Sequence, residues 1–232
     1  MLTKRFKSIR DDERGMTLIE LLVATLAGVI IFFGLTMIVI AAMHQTTRIT
    51  NRVHTTQQAR SALHRIITEL HSSCVAPKVA PVIQGSTGTT LKFIHQTGSA
   101  VSPVPVMREI SLSGTTLSES TYSVTGTTPK WTPTTTKLST QTLRTRVSAI
   151  SGSIPVFRYY AYSGGQISST PLAVPLSSAD AAKAVQVNVA FKVSAPGSSI
   201  TDAKAAAHVE DSVLLRFTPP TFSTSASNLP CE

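Results

Sequence analysis

Hydrophobic and polar positions change rhythm three times along the chain. Residues 21–43, LLVATLAGVIIFFGLTMIVIAAM, carry no charge at all. As a helix rising about 1.5 Å per residue they cover roughly 34 Å, enough to cross a hydrocarbon core of about 30 Å. The run is too long for a signal-peptide core and no small-residue cleavage site follows it, so it is expected to stay attached. From His44 to Ser73 there is neither Pro nor Gly, and Ile49, Val53, Ala59, Leu63, Ile66, Ile67 and Leu70 recur at steps of mostly three and four. That spacing predicts an amphipathic continuation with one face on a domain, while Arg48, Arg52, Arg60 and Arg65 take the other.

Beyond SSCVAP the period shortens to two. Strands are expected at Thr89–His95, Val106–Leu112, Thr116–Val124, Leu143–Ile150, Val156–Tyr162, Val185–Val193 and Val209–Phe217, separated by Gly, Pro and Ser clusters. The stretch ISLSGTTLSES reads as a hairpin turning at Ser113–Thr115. In LSSADAAKAV, Ser177 followed three residues later by Asp180 resembles a capping box opening a short helix. Thr125–Thr142, TGTTPKWTPTTTKLSTQT, shows no apolar period and is expected to be an exposed loop. These patterns give an α+β fold class: one long N-terminal helix, half transmembrane and half amphipathic, on an antiparallel β-sheet head.

Charge refines the picture. The net charge is +9, and five cations, Lys4, Arg5, Lys7, Arg10 and Arg14, precede the apolar run. Their excess over Arg48, Arg52 and Arg60 on the far side favours a cytoplasmic N-terminus and an extracytoplasmic head. Residues 16–232 still hold 16 Lys/Arg against 9 Asp/Glu, net +7, which admits nucleic acid or other anionic partners. The cations are dispersed and few aromatics lie among them, unlike a single-strand stacking platform. Cys74 and Cys231 have no metal-type spacing; an even pair suits one disulfide in an oxidising compartment, or two unrelated thiols. A bridge would close a loop of about 157 residues and hold the tail against the helix end. His44, His54, His64 and His71 share one helix but lie at least seven residues apart, too far to share an ion, so no metal and no cofactor are expected. No hydrolase, zinc-peptidase, phosphate-loop or paired-carboxylate motif occurs, which argues against catalysis by this chain.

Glu20 stands out, because a carboxylate at the head of a membrane-spanning run is costly unless paired. Its context is RGMTLIELLVA, residues 14–24: glycine, a hydrophobic residue, Thr, Leu, Ile, Glu and a continuing apolar helix. This resembles the N-terminal signal of type IV pilins and type II secretion pseudopilins. The resemblance implies that residues 1–15 are a leader, that prepilin peptidase cuts after Gly15, and that the new N-terminal Met16 is N-methylated. Most family members have Phe where this chain has Met16. Cleavage would free a cationic amine four residues before Glu20, one helical turn away, so the carboxylate could neutralise that amine or a neighbouring subunit's. The implied fold is pilin-like: residues 16–43 in the membrane, 44–73 as the spine of the head, 74–232 as the β-rich head. IPVFRYYAYSGG, PLSSADAAKAVQVNVAFKV and EDSVLLRF are similar, more loosely, to J-type and related large minor subunits. The implied partners are prepilin peptidase, an N-methylase, other pilin or pseudopilin subunits, an inner-membrane assembly platform and the membrane itself. A DNA-binding competence subunit and a plain membrane-anchored domain are the alternatives.

Overall fold

A computed structural model describes residues 17–74, 80, 82–99, 102–127, 130–197 and 206–215. The chain divides into two compact units, residues 1–49 and 50–232. Helix α1, Leu18–His71, is 54 residues long.

In the first unit every described side chain is exposed, including Leu21, Phe32, Phe33 and Ile38. A row of large apolar side chains with no protein to cover them is compatible with a single-pass membrane anchor. The threonines within it are made tolerable locally. Thr25 Oγ1 donates to Leu22 O at 2.9 Å and Thr36 Oγ1 to Phe32 O at 2.8 Å, so neither hydroxyl needs water.

In the second unit burial begins abruptly at Thr55 and continues through Ala59, Ala62, Leu63, Ile66 and Leu70. The apolar stripe therefore starts later than its period suggests: Val53 is 49% exposed and Ile49 63% exposed, whereas Ile66 and Leu70 are sealed. Periodicity identifies a face, and the extent of the partner surface decides how much of that face is covered. The helix stops where Ser72 turns its hydroxyl back onto the Glu69 carbonyl at 3.0 Å and Ser73 N–H bonds Leu70 O at 3.1 Å.

Two antiparallel sheets follow. The first is a meander of β1 Thr90–Ser99, β2 Ser102–Ser113, β3 Thr116–Thr127 and β4 Lys130–Thr145, in that spatial order. The predicted hairpin is present: Ser113 pairs with Thr116, and Gly114 supplies the positive φ of 59° that the two-residue turn demands. The second sheet holds β5 Val147–Ser148, β6 Phe157–Ser163, β7 Gln166–Ile167, β8 Ala184–Ser194 and β9 Ala206–Leu214. Strand β8 is central, with β9 along one side and β6 and β5 sharing the other. Helix α2, Ser178–Lys183, precedes it, and Ser177 Oγ accepts from Asp180 N–H at 3.1 Å, as its spacing predicts.

One core joins all of this: Ala59, Leu63, Ile66 and Leu70 with Leu91, Phe93 and Ile110 from the first sheet and Phe157, Val189 and Phe191 from the second. Tyr159 is buried among them with its hydroxyl donating to the Thr87 and Thr90 carbonyls at 2.9 and 3.2 Å; burial drives its pKa far up, so it stays a neutral donor.

The expected loop at Thr125–Thr142 is a correction. Most of it forms β4, a 16-residue outer strand. Register shifts opposite Leu117/Ser118, Thr121/Tyr122 and Tyr122/Val124 interrupt the side-chain alternation. Pro133 sits within it, as an edge strand permits. Residues 143–150 accordingly split between the end of β4 and the short β5.

Candidate functional site

The first candidate lies where α1 begins. Thr17 N–H and Thr17 Oγ1 both donate to Glu20 Oε2 at 3.0 Å, and Glu20 N–H donates to Thr17 Oγ1 at 3.3 Å. This is a reciprocal capping box, T-x-x-E, which satisfies helix-start donors that have no partner within the helix. Thr17 was not among the residues singled out from sequence, although its spacing to Glu20 was the available signal. Gly15 and Met16, the expected cleavage and methylation positions, lie outside the described residues, as does any contact of Glu20 with an amine at Met16.

A second constellation is built by four elements of the head. Strand β3 carries Leu117 and Glu119 on one face, so Glu119 points inward in an apolar phase; its side chain is 2% exposed. Arg65 of α1 reaches one carboxylate oxygen at 2.9 Å, and the Arg108 guanidinium of β2 takes the other. Arg108 Nε and Glu69 Oε2 face each other at 3.7 Å, close enough for charge attraction but too long for a hydrogen bond. His95 of β1 places Nδ1 2.9 Å from Ser72 Oγ and 3.4 Å from Glu69 Oε2. Burial depresses the His95 pKa and the Arg108 charge adds to it, while Glu69 opposes. The imidazole is thus held toward its neutral form. Two cations and two anions compensate one another, so the network bolts the helix to three strands with no charge left over. Sequence inspection did not find it, because its members are spread over positions 65 to 119 and only the inward phase of Glu119 hints at a buried partner.

Cys74 is fully buried beside Ile94 and Met107, with its N–H on Ile94 O at 2.8 Å. Cys231, its expected partner, lies outside the described residues. Among the described residues no group of three His, Cys, Asp or Glu side chains is placed to hold a metal ion, and His44, His54, His64 and His71 stay apart along α1.

No protein-family model, no curated protein and no solved structure matches this chain.

Proposed function

We propose that the chain is a minor pilin or pseudopilin: a membrane precursor cut after Gly15 by prepilin peptidase, N-methylated at Met16, and built near the tip of a helical filament on an inner-membrane assembly platform. It acts as an assembly subunit and as the substrate of two enzymes. One observation carries the reading. The RGMTLIE motif leads directly into a single 54-residue helix that is bare and apolar at its start and buried in an antiparallel β head at its end. A subunit that is first anchored in lipid and then packed through the same helix needs both halves. The Glu20 carboxylate, tied to Thr17, is the group that the Met16 amine of this or a neighbouring subunit would neutralise.

The test is the size and N-terminus of the mature protein. Mass spectrometry should find a methylated Met16, and Gly15→Leu should leave a precursor fifteen residues longer. Unchanged size in that variant would return the chain to a plain membrane-anchored domain.

A DNA-capturing version of the same subunit is favoured by one feature. Residues 120–179 contain Lys130, Lys137, Arg144, Arg146 and Arg158 and no acid. Retention of DNA that collapses between low and moderate salt would support it.

A further inference from the structure

Within the head, a cleft of about 280 Å³ runs between α1 and β4. Gln58, Ser61 and Arg65 line it from the helix, and Gln141, Thr142 and Arg144 from the strand. Two guanidiniums and two carboxamides stand in this lining, and no carboxylate does. Arg65 spends its Nε on Glu119, whose charge is shared with Arg108. Arg144 differs, because its Nε is shut away from solvent with no hydrogen-bond partner among the described residues.

The strand is bent to make this arrangement. Gln141 pairs with Glu119 and Arg144 with Leu117, so Leu143 is skipped. Without that bulge, residues 141 and 144 would point to opposite faces; with it, both share the face of Leu117 and Glu119. The bulge thus re-aims Arg144 toward the helix. Beside the cleft, β4 is the outer strand of its sheet among the described residues, and its residues 135–142 are exposed.

We infer that this cleft is a carboxylate-recognising site that docks an extended acidic segment of another protein along β4, with one Asp or Glu side chain held between Arg65 and Arg144. Its volume is slightly below that of pockets for whole small molecules, about 300 Å³ upward, and suits a single side-chain head. A planar guanidinium pair matches a planar carboxylate, and strand addition supplies affinity through the main chain while the cleft supplies selectivity. Charge complementarity sets the sign: no acid occurs from residue 120 to residue 179. The inference is independent of the filament reading, since its readout is binding by the chain whether or not it is processed.

The test uses the full chain in detergent micelles and fluorescence anisotropy with a labelled decapeptide of alternating Val and Glu. The same peptide with Gln in place of Glu and a single-stranded decanucleotide serve as competitors by chemistry. The Glu peptide should bind at least about tenfold more tightly than the Gln peptide, and Arg144→Gln should weaken it about tenfold. Lys183→Gln, which removes the same charge from α2, should leave binding unchanged. Equal binding of the two peptides, equal losses in the two variants, or tighter binding of the oligonucleotide would each overturn the inference. Should Arg144→Gln fail to fold, Ser61→Glu decides instead. That exposed position would place a carboxylate in the cleft and should abolish peptide binding; undiminished binding would sink the proposal.

Discussion

Replacing Glu20 by Ala removes a charge and a helix cap together, whereas Glu20→Gln removes the charge and keeps an oxygen able to accept from Thr17. If neutralisation of the Met16 amine is what the carboxylate does, both variants should be cleaved normally and both should fail to enter filaments. Incorporation restored by Gln would reassign Glu20 to the capping box alone; shear-fraction immunoblots read the outcome. His95 gives a second test of local chemistry. Its folded-state pKa lies below the ordinary 6.5, so between those two values the unfolded chain binds the extra proton. Its contribution to stability is present above about pH 6.5 and is lost as pH falls through the window beneath. A fall in the thermal midpoint of the head between pH 7 and pH 5.5, flattened in His95→Gln, is the expected result. Glu119 is the most exacting residue of the network, because Glu119→Ala strands Arg108 and Arg65 without their shared anion. A loss of about 3 kcal/mol is expected by urea titration.

Elements were legible in proportion to how regular their burial is. The 3.6-residue period of α1 from Ala59 to Leu70 and the two-residue period of β1, β2, β3, β6 and β8 reflect contact with buried apolar clusters, so the sequence carries their imprint. Strand β4 lacks that imprint for a physical reason: it is an edge strand, exposed through most of residues 135–142, and its three register irregularities reset the alternation each time it starts. The ends of the apolar stripe on α1 were illegible for another reason, since Ile49 and Val53 continue the period beyond the surface that covers it. Paired substitutions test that boundary. Ile66→Ala should cost about 2–5 kcal/mol, as a fully buried side chain leaves a cavity, whereas Val53→Ala should stay within about 0.5 kcal/mol. Equal costs would mean that the helix face is covered further toward its N-terminus.

For the whole molecule, an apolar helix followed by an antiparallel β head could be read from pattern alone, because hydrophobic period is a local property. Sheet order and the Arg65–Glu119–Arg108 network could not, because each depends on which distant segments meet. The expected Cys74–Cys231 pair belongs to the same non-local class, and its test depends on where Cys74 sits. That residue has no exposed surface, so a failure to alkylate the native protein would say nothing about bonding. The protein must be denatured without reductant, alkylated, and weighed. Mass gained at neither cysteine is the expected outcome, with full gain at both after reduction. A loop of about 157 residues would then be closed in the unfolded state, and the chain-entropy relation sets its effect at no more than about 5 kcal/mol. Reduction should lower the urea midpoint of the head by a corresponding amount while leaving the midpoint of a Cys231→Ser variant unmoved. A head equally stable in both redox states, with two alkylated thiols, would leave Cys74 as a packing residue against Ile94 and Met107.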